Sequence, residues 1–355
     1  MTSMYKILSP LLFTLDAERA HNLSLTALKS GLVPSVGPVT SDRLATTVFG
    51  LTFPNPVGLS AGYDKNGDVL DPLAGLGFGF VEAGSVTPKP QAGNPKPRIF
   101  RLKEDRAVIN RLGFNNRGLD AAEANFKRRK GTGIVGANLG ANKDSEDRIG
   151  DYVAGLKRLA PLSDYVTINI SSPNTPGLRA LQGRGELEDL LGRMMEARSS
   201  LPDAGSRSIP LLLKIAPDLT EEDKADIGAV ALDMKLDGLI ISNTTITRPE
   251  TLKSPYRQEM GGLSGAPLKP LALGLLSDMY RITGGKIPLV GVGGIQSAED
   301  AYNRIRAGAS LIQFYSAMVY EGPYLARKIA EGLDALLVRD GHASVADAVG
   351  AGNPL

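Results

Sequence analysis

The chain has no cysteine and only two histidines, His21 and His342, near opposite ends of its 355 residues. Without cysteine there is no disulfide, no thiolate-bound zinc, no iron–sulfur ligation by this chain and no cysteine nucleophile or base. Two distant histidines argue against His-rich metal sites and against most catalytic triads. Long apolar runs are missing as well. The longest charge-free stretch, Leu44 to Tyr63, is broken by Gly50, Pro54, Asn55, Pro56, Gly58 and Gly62, whereas a spanning helix wants about 20 mainly apolar residues. Only nine residues separate Lys6 from Asp16, so no signal-peptide core is expected. The net charge of +2, with 42% apolar and 22% charged residues, is an ordinary globular balance. The length admits two or three average domains, or one α/β barrel of about 250 residues with additions.

Glycine is abundant, at 41 residues. Without a repeat, that excess points to tight strand-to-helix turns or to backbone that must approach a ligand closely. Charge is uneven: residues 85–135 hold twelve Lys/Arg and four Asp/Glu, a net +8 that leaves −6 for the rest. Such a segment is either a solvated basic surface or one that faces an anion, be it phosphate, carboxylate or lipid headgroup.

The first forty residues read as a helical pair. Ile7, Leu8, Leu11, Leu12 and Leu15 recur at helical spacing, and Asp16 is placed to cap a second helix carrying Ala17, Ala20, His21, Ser24, Leu25 and Leu28, with Gly31 at its end. Pro10 either kinks the first helix or sits in its opening turn. Val33 to Asp42, rich in Pro, Gly, Ser and Thr, reads as a linker. Three regions are therefore expected: 1–40, a barrel over 41–340 and a tail over 341–355.

Eight short apolar runs follow: Pro56–Ala61, Gly79–Ala83, Ile134–Leu139, Tyr165–Ile170, Leu211–Ile215, Gly238–Ser242, Pro288–Val292 and Ser310–Phe314. They are continuous rather than alternating, as parallel strands covered on both faces should be. Capping signals lie between them, Thr220 with Asp223 and Ser297 with Asp300, and Gly308 suits a helix end. Eight strand–helix units predict a (β/α)8 barrel. Phe49 to Asn55 reads as a hairpin that could plug the barrel floor.

A barrel carries its chemistry at the C-terminal ends of its strands. Those positions are Lys65, Ser85, Asn138, Asn169, Lys214, Ser242 with Asn243, Gly293–Gly294 and Tyr315–Ser316. Together they describe a pocket for an oxygen-rich, partly anionic ligand. The glycines after strand seven run into a helix capped at Ser297, a place where barrels hold phosphate. Lys214 is a cation inside an apolar strand; it is either neutralised by an acid or faces a ligand that gains negative charge, and Schiff-base chemistry also stays open. After strand four, Asn169 to Gly177 presents Ser171, Ser172, Asn174 and Thr175 on a proline-shaped loop. With no cysteine and no nearby histidine, a proton acceptor there has to be a hydroxyl, aided by desolvation, by Thr175 or by water.

These blocks carry a resemblance. Ala61-Gly-Tyr-Asp-Lys-Asn-Gly67, Gly84 to Gln91 with Gly93 to Arg98, Asn110-Arg-Leu-Gly-Phe-Asn-Asn116, Asn169 to Arg179, Lys214 to Asp218, Ser242-Asn-Thr-Thr245, Gly261 to Gly265 and Gly291-Val-Gly-Gly-Ile295 resemble the signature blocks of the class 2, quinone-reducing dihydroorotate dehydrogenases. They are collinear from about Val48 to Pro323, and the helical pair matches the class 2 extension. The resemblance implies a non-covalent FMN, one per chain, and oxidation of dihydroorotate to orotate in pyrimidine biosynthesis. It implies flavin contacts at Ala61, Gly62, Tyr63, Asp64, Lys65, Ser85, Asn138, Asn169, Lys214, Ser242, Gly265, Gly294, Tyr315 and Ser316. Ser85 departs from the threonine common in relatives but keeps the hydroxyl. Substrate contacts are implied at Lys65, Asn110, Arg111, Leu112, Gly113, Phe114, Asn169, Asn174, Asn243 and Thr244. Ser172 matches the catalytic base, and His21 and Arg101 match polar residues near the quinone head. The same resemblance implies a peripheral protein on the cytoplasmic face of a bacterial cell membrane, with lipid and quinone as partners and no metal, nucleic acid or obligatory protein subunit. The alternatives are a class 1-like enzyme, another FMN-barrel pyrimidine oxidoreductase, or a non-catalytic phosphate- or nucleotide-binding barrel.

Overall fold

Because Asp16 accepts hydrogen bonds from the N–H groups of Glu18 and Arg19, the chain turns sharply between its first two helices, α1 (Thr2–Leu12) and α2 (Ala17–Lys29). Pro10 lies within α1, near its C-terminal end, and Gly31 follows α2 with φ of +73°. A computed structural model describes residues 2–202 and 208–355. The Pro- and Gly-rich stretch after α2 is tied down: the N–H groups of Val36 and Gly37 both donate to the carbonyl of Gly75. The hairpin of β1 (Thr46–Val48) and β2 (Leu51–Phe53) comes next.

Eight parallel strands then close a barrel: β3 (Val57–Leu59), β4 (Phe80–Val86), β7 (Ile134–Leu139), β8 (Tyr165–Asn169), β9 (Leu211–Ile215), β10 (Gly238–Ile241), β12 (Leu289–Val292) and β13 (Ala309–Phe314), with β13 pairing back to β3. The (β/α)8 expectation holds. All eight strands lie where the apolar runs place them, and β7 and β9 do so residue for residue. The connections carry α3 (Leu70–Ala74), α4 (Gly118–Lys127), α5 (Arg148–Leu159), α6 (Arg184–Ser199), α7 (Glu221–Asp233), α8 (Lys269–Ile282), α9 (Ala298–Arg306), α10 (Met318–Glu321) and α11 (Leu325–Arg339). Thr220 and Asp223 form a reciprocal capping box on α7, and Ser297 accepts from the Asp300 N–H on α9. Residues 341–355 pack against the barrel: Val345 N–H donates to Arg43 and Asn353 donates to the carbonyls of Ser277 and Ala307.

The hairpin is the floor. Phe53 is fully buried and its ring meets Phe80 at 5.1 Å inside the barrel, and Phe80 faces Tyr165 at 6.3 Å. Two glycines make this possible. A Cβ on Gly58 would lie 2.2 Å from the Phe80 ring, and one on Gly136 would lie 2.1 Å from that of Tyr165. One element is not anticipated by the pattern of apolar runs: an antiparallel sheet of β5 (Ile99–Leu102), β6 (Ala107–Asn110) and β11 (Gly262–Gly265), in the order β11-β6-β5. β11 meets β6 across some 150 residues of chain, a pairing that local periodicity does not encode.

Candidate active site at the barrel mouth

Alternate residues of a strand share a face, and inside this barrel that series turns polar towards the C-terminal ends. Phe80 gives way to Glu82, Gly136 to Asn138, Leu212 to Lys214 and Leu311 to Gln313, while β8 runs Tyr165, Thr167, Asn169. Above them lies a cavity of about 740 Å³ that begins at the barrel mouth and continues between α1 and α2. Its size suits a ligand of cofactor dimensions.

The mouth is built from carboxamides and hydroxyls. Asn169 Nδ2 donates to Ser85 Oγ at 2.9 Å, and Asn169 Oδ1 accepts from Ser171 Oγ at 2.8 Å and from Asn243 Nδ2 at 3.4 Å. Lys214 Nζ is buried and, among the described residues, has a single hydrogen-bond partner, Ser60 Oγ at 3.2 Å. Burial lowers its pKa, opposed by the charge of Glu82. Lys65 Nζ donates to the Gly62 carbonyl at 2.8 Å, and its remaining accessibility opens onto the cavity; burial pushes it down to about 8. Ser172 is buried, lines the cavity and accepts from the Asn174 N–H at 3.3 Å, while Asn174 Nδ2 donates to the Asn110 carbonyl at 3.1 Å. Arg179 fixes this loop, donating to the carbonyls of Ser171 and Thr244 and to Asp218. It thereby joins the loops after β8, β9 and β10.

Two buried polar atoms in the lining, the Thr244 hydroxyl and the Asn115 carbonyl oxygen, have no hydrogen-bond partner among the described residues. Buried polar atoms are seldom left so unless something else completes them. On the opposite side Gly293 and Gly294 take φ of +107° and +75°, where side chains are rarely tolerated. Behind this turn Arg304, fully buried, donates to the carbonyls of Gly293 and Lys269. Burial lowers it to about 10, so it remains a cation beside the turn.

The cavity's other arm is apolar, walled by Leu8, Leu12, Phe13, Ala20, Leu23 and Leu32. Leu8, Leu23 and Leu32 are also solvent-exposed, so the cavity opens at the helical pair. Where the two arms meet, His21 lies edge-on to Tyr63 at 5.1 Å, and the Tyr315 hydroxyl is 3.4 Å from its Nδ1. Arg101 also lines the cavity, but its guanidinium donates to the carbonyls of Leu12, Phe13 and Leu15 and closes the C-terminal end of α1. Glu18 of α2 is held by both arms of Arg98, at 3.0 and 2.8 Å, and by Lys96 at 3.2 Å. Much of the basic segment is paired in this way. Lys96, Arg98, Arg106, Arg111, Arg117, Lys127 and Arg129 all meet carboxylates of the protein itself.

Burial, reinforced by the charge of Lys65, pushes His21 down to about 3. The unfolded chain therefore takes up a proton below about 6.5 that the folded chain refuses, so stability falls as pH drops from 6.5 towards 3. Proteolysis of the α1–α2 region is expected to rise over that window, and His21→Gln is expected to flatten the part above pH 4.5, where the Glu18 pair is still intact.

Most of the residues singled out from the sequence converge on this cavity. Five do not line it: Ser171 and Thr175 are buried in the loop beside Ser172, and three others face elsewhere. Asp64 turns back to accept from the N–H groups of Asn66, Asp68 and Val69. Asn138 lies beneath, accepting from Ser85 and donating to Glu82. Arg111 pairs with Glu259. Sequence reasoning passed over Asn115, Ser60, Arg304, Gln313 and Glu82. For Glu82 a signal existed: a carboxylate inside the apolar run Phe80-Val-Glu-Ala83 is as anomalous as Lys214 in its own strand.

A barrel with a polar mouth at its strand C-termini defines the class, that of the (β/α)8 enzymes. Comparison with known proteins narrows it. The sequence profile described as dihydroorotate dehydrogenase matches residues 43–337, and the chain belongs to that family. It is 56% identical over 353 residues to a Rhodospirillum rubrum protein named dihydroorotate dehydrogenase (quinone), covering 99% of this chain and 95% of the relative. A protein of the same name from Erythrobacter litoralis is 56% identical over 349 residues, 98% of this chain and 99% of the relative. Among solved structures, ligand-free DHODH from Eimeria tenella superposes with a TM-score of 0.90 at 43% identity, over 95% of this chain and 99% of that one. The chain is thus an oxidoreductase of the dihydroorotate dehydrogenase family.

Proposed function

We propose that this chain oxidises dihydroorotate to orotate with a non-covalent FMN and passes the electrons to a membrane quinone, as a step of pyrimidine biosynthesis. The observation that carries the reading is the continuity of one cavity from a polar mouth to an apolar opening between two helices. A water-soluble ring and a lipid-soluble acceptor can each reach the same centre from opposite ends.

FMN, when bound, supplies the hydride acceptor. The residues present fit it: Lys214 has one hydrogen-bond partner among the described residues and offers an amine whose charged form an anionic ligand would favour, and the Gly293–Gly294 turn with Arg304 behind it favours a phosphate. Ala61, Gly62, Ser85, Asn169, Ser242, Gly265, Tyr315 and Ser316 would complete its contacts. Lys65 pairs the substrate carboxylate. Asn110, Asn169, Asn174, Asn243 and Thr244 meet a uracil-like ring, whose alternating donors and acceptors suit carboxamides and a hydroxyl. Ser172 Oγ removes the C5 proton. His21, with Tyr63 and Tyr315, stands where the apolar arm reaches the mouth and would face the quinone head.

The helical pair would rest on the bilayer. No helix among the described residues is long and apolar enough to cross it, but Ile7 and Leu11, next in α1 to the cavity-lining Leu8 and Leu12, are 75% and 68% exposed, and Leu32, which lines the cavity, is 76% exposed. An apolar patch at an opening marks a contact surface, here for lipid.

The decisive assay is anaerobic bleaching of the FMN-loaded protein by dihydroorotate, followed by reoxidation with a short-chain quinone. Bleaching and reoxidation are expected. A bound flavin that dihydroorotate does not bleach would refute the substrate, and reoxidation by NAD⁺ rather than quinone would refute the acceptor. Because Lys65 stands near 8, it is charged at neutral pH and loses its proton as pH rises through that value. Orotate affinity for the loaded enzyme is therefore expected to decline above pH 8, and Lys65→Gln to bind more weakly with no such inflection.

A further inference from the structure

Glu82 lies in the barrel interior, 1% exposed, and does not line the cavity described above. Its Oε2 accepts from Tyr165 Oη at 3.0 Å, Thr167 Oγ1 at 3.1 Å and Gln313 Nε2 at 3.0 Å, and its Oε1 accepts from Asn138 Nδ2 at 2.7 Å. All four partners are donors, from three other strands. A carboxylate accepts only, so its environment has one consistent polarity.

That polarity propagates. Since the Asn138 amide must face Glu82, its carbonyl faces the mouth and takes the Ser85 hydroxyl proton. Ser85, having spent its proton, accepts from Asn169 Nδ2 at 2.9 Å. Asn169 then turns its carbonyl to Ser171 Oγ and to Asn243 Nδ2. Asn243, oriented in turn, turns its own carbonyl to the Thr244 N–H at 2.7 Å. A carboxamide alone could sit either way round. Here Asn138 takes its orientation from Glu82, and Asn169 takes its own from Ser85 on one side and from the Ser171 N–H, which donates to its Oδ1 at 3.3 Å, on the other; the chain ends on Asn169 and Asn243, which both line the cavity.

We propose that Glu82 is a positioning residue that sets the donor–acceptor polarity of this chain, and so decides whether Asn169 and Asn243 show a bound ring an N–H or a carbonyl. The consequence for substrate rests on the dihydroorotate reading above; the relay itself does not. A carboxamide in place of the Glu82 carboxylate can present an amide to Asn138, which would then reverse and leave Ser85 without its acceptor; Ser85 turning its hydroxyl to Asn169 would reverse that carboxamide too and set its amide, donor against donor, at the Ser171 N–H and the Asn243 amide. An inverted buried contact of that kind weakens binding roughly ten- to hundred-fold.

The test is a double-mutant cycle on the FMN-loaded protein. Glu82→Gln is expected to retain flavin but to raise the orotate dissociation constant ten- to hundred-fold, read from the perturbed flavin absorbance, and to raise KM more than it lowers kcat. Adding Asn138→Asp gives the newly introduced amide an acceptor and returns an acceptor to Ser85, so Glu82→Gln/Asn138→Asp is expected to recover most of the loss, although each single change is harmful. The same cycle on thermal unfolding without orotate reads the relay whatever the ligand. Non-additive rescue there, with no orotate binding even in the unsubstituted protein, would refute the substrate and leave the relay standing. Additive unfolding effects, or a double variant that fails to fold, would overturn the relay, as would unchanged orotate affinity in Glu82→Gln of a protein that binds orotate. Should the single variant not fold, a double variant that folds and binds orotate as the unsubstituted protein does supports the relay; weak binding by that variant overturns it.

Discussion

Ser172→Ala is expected to slow flavin reduction by dihydroorotate about 10²- to 10⁴-fold, the usual range for a lost general base, while orotate affinity changes little. Ser172 Oγ lines the cavity and accepts the Asn174 N–H at 3.3 Å, and the loop that carries it is pinned from both sides. Asn94 donates to the carbonyls of Arg111 and Asn174, and Arg179 holds the carbonyl of Ser171. Removing one hydroxyl should therefore leave the loop in place and remove only the proton acceptor. The histidines offer no substitute, since His342 packs beside Tyr302 and His21 beside Tyr63 and Tyr315. Anaerobic stopped-flow bleaching measures the rate. Ser172→Cys should recover activity as pH rises towards the ordinary thiol pKa of about 8.5. A fast alanine variant would move the role to Thr175 or to water.

The second large effect concerns the helical pair. Changing Ile7, Leu11 and Leu32 together to Gln is expected to abolish co-sedimentation with phospholipid vesicles and most turnover with long-tailed quinones. Fully burying one such side chain stabilises by about 1.5–3 kcal/mol. Three partly exposed ones lose roughly 4 kcal/mol, about a thousand-fold in partitioning. Flavin reduction by dihydroorotate and turnover with a small soluble dye should be untouched, because the mouth lies at the other end of the cavity. A triple variant that still pelleted with vesicles would overturn the membrane role of these residues. Deleting the pair outright is a poorer test. It would strip Glu18 from the buried Arg98 and take Leu28 out of the core, so loss of activity would also report damage to the barrel.

The barrel was legible because its signal is local. Parallel strands buried on both faces are apolar throughout, and Val135, Val166, Leu213 and Ile240 say so without reference to partners. The caps on α2, α7 and α9 were legible for the same reason, since an N-cap acts within three residues. The mouth could be located from the rule that polar residues ending apolar strands point into one pocket. What each of them does there could not. Asp64 stands beside Lys65 in one sequence block, and Asn138 ends an apolar strand as Asn169 ends the next, yet Asp64 ties a loop and Asn138 supports the mouth from below.

By itself, then, the sequence determined the eight-strand repeat, the helical pair and the set of polar side chains at the strand ends, because periodicity, capping and strand polarity are properties of neighbours in the chain. Only the tertiary structure decided that Glu82 faces Tyr165, Thr167, Gln313 and Asn138, that Glu18 neutralises Arg98, and that the mouth and the helical pair share one cavity. Those contacts join residues 56 to 231 positions apart, and a hydrogen bond or an ion pair depends on distance and direction in space, which barrel closure sets and local pattern does not.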